Sequence, residues 1–203
     1  VTKDDPVSSA KLSQFREILK CRQYEMLQEK IQYLKLPQFG LKEHGFETWI
    51  EEQRYMVLFA ENNITPNLEV SVKIVSKWRD EYGKEIFEKA GEPWGIDVLK
   101  RALRNDNTLL FVAFYEDKPV GMTYCHITDG ICRVDYLLVS KDCRNIGVGR
   151  TLINGFVEYC HSSHIENCYL WPDGETAEKI YYEAGFRHVE TKKAGRAVFN
   201  NIK

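Results

Sequence analysis

The sequence predicts an α/β fold of the α+β type: a mixed, mostly antiparallel sheet flanked by helices, with a helical extension at the N-terminus. Three observations carry this. Stretches that alternate apolar and polar residues follow one another across short polar connections, as hairpin strands do. Between them stand segments whose apolar residues recur at helical spacing. The chain has 203 residues, 43% of them hydrophobic, enough for one good-sized α/β core.

Taken in order, residues 11–34 carry Leu12, Phe15, Leu19, Met26, Ile31 and Leu34 among charged neighbours, which predicts a helix. After Pro37 a Gly-Phe turn leads into the alternating RYMVLFA (54–60), and ENNITPN (61–67) is a turn-rich break. A strand is expected at 68–75, a helix at about 78–90, a turn at Gly91-Glu92-Pro93 and a second helix at about 95–104. TLLFVAFYED (108–117) and KPVGMTYCHI (118–127), joined through Asp117-Lys118, read as an antiparallel hairpin, and ICRVDYLLVS (131–140) follows the turn Asp129-Gly130. GRTLINGFVEYC (149–160) sets Leu152, Ile153, Phe156, Val157 and Cys160 on one helical face. NCYLW (167–171) is a strand, and ETAEKIYYEAG (175–185) a helix that ends on Gly185 as its left-handed cap. FRHVET (186–191) and RAVFNN (196–201) close the chain as two short strands.

Composition narrows the function. With 28 basic and 30 acidic side chains the formal charge is −2, which advertises neither nucleic acid nor an anionic membrane. No apolar run approaches the roughly 20 residues that span a bilayer, and the first residues lack the apolar core of a signal peptide, so a cytoplasmic protein is expected. The cysteines at 21, 125, 132, 143, 160 and 168 form no compact framework and read as reduced thiols. Cys160, His161, His164 and Cys168 have the look of metal ligands, but Ser162-Ser163 reads as a helix end and breaks their common face, so no metal is expected. Cys125-His126 suggests a thiol–imidazole dyad, which the alternation of strand neighbours removes unless the strand bulges.

RNIGVGRTL (144–152) places two glycines where a strand gives way to a helix. Glycine lets backbone approach a ligand closely, and the first helical turn offers unpaired N–H groups to an anion, so the stretch points to a phosphate. A P-loop is excluded by the missing Gly-Lys-Ser/Thr, and a dinucleotide fingerprint by the missing third glycine.

The pattern Val139-x-x-x-x-Arg144-x-x-Gly147-x-Gly149, after a strand and before a helix, resembles the acyl-CoA signature of the GNAT N-acetyltransferase superfamily. Ala177-x-x-x-Tyr181-x-x-x-Gly185-Phe186 resembles that family's second signature. The resemblance covers about residues 68–203 and implies the GNAT fold, acetyl-CoA as cosubstrate and no metal. It implies that the amides of Ile146, Gly147, Val148, Gly149, Arg150 and Thr151 ring the pyrophosphate, with Asn145 in the same loop and Arg144 adding a charge-assisted contact or bracing it. It also implies that the backbone of Leu137, Leu138 and Val139 pairs with the pantetheine arm where the strands DYLLV and CYLW splay apart. Tyr181 is implied as the donor of a proton to the leaving thiolate, with Tyr182 turned elsewhere. Asp135, on the same strand face as Leu137 and Val139, is implied as a base acting through water, with Tyr124, His126 or bulk water as alternatives. Where the family often has an asparagine this chain has Gly174, and Asp173 or Thr176 stands nearby as a substitute contact.

Glu43-x-Gly45-Phe46 before MVLF echoes Glu183-x-Gly185-Phe186 before AVF, a hint of a truncated, degenerate GNAT-like half. The division expected is a helical region ending in a strand at 1–64 and the transferase domain at 65–203. The reaction implied is acetyl transfer to a primary amine of a small molecule or protein by direct attack in a ternary complex. The alternative is a catalytically weak coenzyme A-binding regulatory or interaction module. A homodimer is compatible with either, and Trp94, Tyr115, Tyr124, His126 and Trp171 are candidate walls of the acceptor pocket.

Overall fold

The computed structural model describes residues 46–199. The helix expected at 11–34 and the start of the Gly-Phe echo lie outside them. Strand β1 (Phe46–Leu58) is followed by β2 (Val70–Val75), helix α1 (Asp80–Tyr82) running on as a π-helical stretch (Gly83–Glu88), and α2 (Gly95–Ala102). Then come β3 (Thr108–Tyr115), β4 (Lys118–Thr128), β5 (Ile131–Val139), α3 (Val148–Ser162), β6 (Asn167–Leu170), α4 (Glu175–Glu183) and β7 (Phe186–Phe199). The strands form one mixed sheet in the order β2-β3-β4-β5-β6-β1-β7. The described chain divides into a unit of Met56–His188 and a second that takes in Phe46–Tyr55 and Val189–Phe199.

Two departures from the sequence reading have local causes. The β3–β4 turn uses Glu116 and Asp117, both with positive φ, so Lys118 is already the first residue of β4 rather than part of the turn. The two closing strands are one: Gly195 does not take the left-handed backbone a tight reversal there would need, and β7 runs through it. Gly185 does cap α4 as expected, at φ +100. Its carbonyl accepts the N–H groups of Phe59 and Ala60 at 3.3 and 3.1 Å, and a Cβ there would stand 2.3 Å from the Ala60 carbonyl oxygen.

The sheet is packed on both faces. Phe111, Ala113, Cys125, Cys132 and Val134 meet the buried face of α3, Val148, Leu152, Ile153, Phe156, Val157 and Cys160. On the other face Leu110, Val112, Met122, Tyr124 and Leu138 meet Tyr82, Ile86, Phe87 and Leu99 of the helices before β3. The segment read as a break is in fact stapled to α3. Asn62 donates from Nδ2 to Asn154 Oδ1 at 2.7 Å, and the Asn67 N–H donates to Thr151 Oγ1 at 2.9 Å.

Candidate active site

β5 is where the sheet opens. Its parallel pairing with β6 covers only Ile131↔Asn167, Cys132↔Cys168 and Arg133↔Tyr169, after which β5 keeps β4 as its partner and leaves β6. Ser140 donates its N–H to Val120 of β4 at 2.9 Å. Strand alternation therefore turns the peptide groups of Leu138 toward β4 and those of Leu137 and Val139 toward the opening. Leu137 and Val139 thus face the opening and Leu138 does not. Arg144 reaches into the same edge, Nε to the Val139 oxygen at 3.4 Å, and so braces the loop.

A bulge then changes the face of everything upstream. Thr123 pairs with Leu137 and Tyr124 with Asp135, which leaves Tyr136 as the extra residue, at φ +55. Asp135 consequently stands on the face opposite Leu137 and Val139, because the extra residue shifts the two-residue period by one. The expectation that these three share a face is corrected. Tyr136 bonds through its hydroxyl to the Glu92 carboxylate, stacks on Phe87 and takes the edge of the exposed Trp94. Burial first, then the Glu92 carboxylate, pushes its phenol well above the ordinary range.

Beside it lies a polar chain. His126 meets Thr108 Oγ1 through Nδ1 at 2.8 Å, and its Nε2 stands 3.5 Å from Asp135 Oδ2. Asp135 is bonded to the Arg133 guanidinium, which lies over the Trp171 ring at 5.7 Å. Burial, and then Arg133, holds His126 below its ordinary 6.5 while Asp135 pulls the other way, so the imidazole is neutral at pH 7. Tyr124 packs edge-on against His126, and burial pushes its phenol up to about 12, so it is protonated at pH 7. Of the expected aromatic walls, Tyr124, His126 and Trp171 come together through these contacts and Trp94 joins by way of Tyr136. Tyr115 stands apart at the β3–β4 turn, opposite Lys118. Cys125 is sealed in the core while its neighbour His126 faces this chain, so the two form no dyad.

At the other end of the opening the chain turns through Lys141–Cys143 into α3. Gly147 caps that helix at φ +88, a conformation that L side chains rarely adopt, and no side chain satisfies the first turn. Helix geometry leaves the N–H groups of Val148, Gly149 and Arg150 without intrahelical partners. Thr151 does not join them: its N–H is held by the Gly147 carbonyl at 2.9 Å, and its hydroxyl donates to that carbonyl at 3.0 Å. Asn145 turns the loop at φ +64, and Ile146 is exposed. Asn67, which the sequence reading passed over as part of a turn, ties the loop down from outside, Nδ2 to the Ile146 oxygen at 2.8 Å. Its signal was weak, since an asparagine after proline reads first as a turn residue.

α4 supplies the remaining group. Tyr181 is 5% exposed, packs against Phe186, and burial with the nearby Asp173 carboxylate holds its phenol protonated well above 10. Tyr182 is exposed and stacks under Arg187 at 3.9 Å, turned away as expected. Thr176 is exposed in the first turn of α4. Arg150 pairs with Glu183 and links α3 to α4.

A family model described as the acetyltransferase (GNAT) domain matches residues 78–198, more than half of the chain and every part of the site just described except Asn67. The chain belongs to the GNAT family. No curated protein matches the chain. Among solved structures, the GNAT domain is similar to a GCN5-related N-acetyltransferase from Kribbella flavida, at 15% identity and a TM-score of 0.55, over 78% of this chain and 62% of that one. A functionally unknown conserved protein of Staphylococcus epidermidis matches at 19% identity and a TM-score of 0.55, over 79% and 65%. The ribosomal-protein-S18-alanine N-acetyltransferase from Escherichia coli matches at 13% and 0.53, over 66% of this chain and 99% of its own. This chain thus spans less than two thirds of the first two. At these identities the likeness is one of fold: a mixed α/β sheet flanked by helices, as GNAT domains have. No helix among the described residues is long and apolar enough to cross a membrane.

Proposed function

We propose that this GNAT domain is an acetyl-CoA-dependent N-acetyltransferase that moves the acetyl group to a primary amine by direct attack within a ternary complex. The observation that supports this most is the opening between β5 and β6, flanked by the peptide groups of Leu137 and Val139 and ending at the first turn of α3, which no side chain caps. Those features fit an extended amide-bearing arm that ends in a diphosphate: a strand edge for the arm, main-chain N–H groups and a helix dipole for the charge. The amides of Gly147, Val148, Gly149 and Arg150 hold the diphosphate, and Arg144 braces them. Tyr181, kept neutral by burial, hydrogen-bonds the departing sulfur.

The acceptor arrives as an ammonium of pKa roughly 10 and must lose a proton. The neutral imidazole of His126 takes it, with Asp135 balancing the charge. The Asp135 carboxylate is already engaged by the Arg133 guanidinium. The test is titration calorimetry with coenzyme A and acetyl-CoA, followed by thiol release from acetyl-CoA across a panel of amines. Saturable binding with amine-dependent thiol release, lowered in Tyr181→Phe without a change in acetyl-CoA affinity, is expected. Binding without release on any amine leaves only a coenzyme-binding module, and no binding at all refutes the proposal.

A further inference from the structure

The core between α3 and the sheet gathers thiols from four elements. Cys125 of β4, Cys132 of β5, Cys160 of α3 and Cys168 of β6 are each 0% exposed and all free. They are four of the six cysteines in the chain. Cys132 and Cys168 stand directly opposite each other in the parallel ladder, Cys125 is on the same face of the neighbouring strand, and Cys160 comes down on them from α3. The sulfurs of Cys132, Cys160 and Cys168 lie within 4.8 Å of one another, while Cys125 belongs to the same core cluster but not to that close triad.

A buried cysteine usually serves as a small apolar residue. Here three of the sulfurs also converge, which filling space does not require. A tetrahedral ion with metal–sulfur bonds of about 2.3 Å separates its ligands by about 3.8 Å. The triad therefore needs to contract by no more than about 1 Å. Ligand softness narrows the choice, since an all-sulfur set selects zinc or copper(I) over magnesium, calcium or manganese.

We propose that Cys132, Cys160 and Cys168 are the ligands of a structural zinc site, whose fourth position Cys125 of the same core cluster fills by moving toward the triad. This is a different set from the Cys160-His161-His164-Cys168 run in the sequence, and it departs from the expectation of no metal. His161 and His164 are exposed, whereas Cys160 and Cys168 turn inward. Each cysteine that binds the ion as thiolate releases one proton to solvent, with no change of oxidation state. The ion would pin α3 to the middle pair of the three that join β5 to β6. With no path to solvent among these buried groups, loading belongs to folding. The inference does not depend on the acetyl-transfer reading.

The test uses the full chain, produced in zinc-supplemented medium without chelator and desalted. Elemental analysis is expected to find about one zinc per chain, released by an organomercurial that titrates the thiols. Refolding with cobalt(II) alone should give the near-ultraviolet sulfur-to-metal charge-transfer band and the intense visible bands of a tetrahedral thiolate site. Cys143→Ala should keep both signals and Cys160→Ala should lose them. Should Cys160→Ala fail to fold, the cobalt spectrum of the wild-type chain decides alone. Wild-type protein without zinc and without the cobalt bands overturns the site, and so does metal retained in a folded Cys132→Ala/Cys160→Ala variant.

Discussion

Asn67→Ala tests whether the phosphate-facing loop is held in shape from outside. The Asn67 side chain makes two hydrogen bonds, Nδ2 to the Ile146 oxygen at 2.8 Å and Oδ1 from the Glu69 N–H at 2.9 Å. Only the first reaches the loop. The main-chain N–H of Asn67 keeps its bond to Thr151 Oγ1 in the variant, so the connector stays docked on α3. A neutral hydrogen bond contributes about 0.5–1.5 kcal/mol, and about 1 kcal/mol lost from the ordering of the loop lowers coenzyme A affinity about fivefold. The assay is calorimetric titration with coenzyme A, paired with thermal unfolding, where a loss of about 1 kcal/mol lowers Tm by about 2–4 °C in a domain of this size. Asn67→Asp should bind worse than the alanine variant, since it replaces the donor by a negative charge beside an anion site. Affinity within twofold of wild type in Asn67→Ala, at the expected Tm, would refute the idea that this contact shapes the loop.

Gly185→Ala places a Cβ 2.3 Å from the Ala60 carbonyl oxygen at φ +100, so left-handed strain of about 1–2 kcal/mol adds to overpacking of about 1–3 kcal/mol. Melting should fall by about 5–15 °C, and an unchanged melting curve contradicts the packing described. Thr123 is fully buried with no partner for its hydroxyl, so Thr123→Val should raise stability by about 1 kcal/mol in urea unfolding. A loss of stability there points to a hydroxyl contact not accounted for. His126 has a folded pKa below its ordinary 6.5, so the unfolded chain binds its proton more readily. Its contribution to stability is complete above about pH 6.5 and is lost as pH falls through the folded value; unfolding of wild type and His126→Gln across pH 5–8 should converge toward the acid end. If His126 is the base, kcat/KM rises with pH on the same limb and flattens near neutrality, and a profile flat down to pH 5 removes that role.

Much of the fold was legible because periodicity encodes it directly. The buried face of α3 is the set Leu152, Ile153, Phe156, Val157 and Cys160 that the 3.6-residue spacing names. Gly147 and Gly185 were legible because positive φ leaves glycine as the ready choice. Asp135 was misplaced because a bulge carries no marker in alternation: Tyr136 has a side chain unsuited to its backbone, and only the partner strand shows that one residue is extra. The cysteine cluster was illegible for another reason, since its members come from four elements and sequence spacing sees only neighbours on one. Asn67 was hidden likewise, its role resting on a residue 79 positions away.

A ladder of three residue pairs between β5 and β6 is also a mechanical seam. The meander from β2 through β5 is laced along its length, whereas β6 is held by three pairs to β5 and two to β1, so force or heat should part the molecule along β6 before any hairpin yields. Amide exchange at Asn167, Cys168 and Tyr169 would report that parting first. Whatever grips both lips of the seam would act as a suture, slowing exchange there more than anywhere else in the chain.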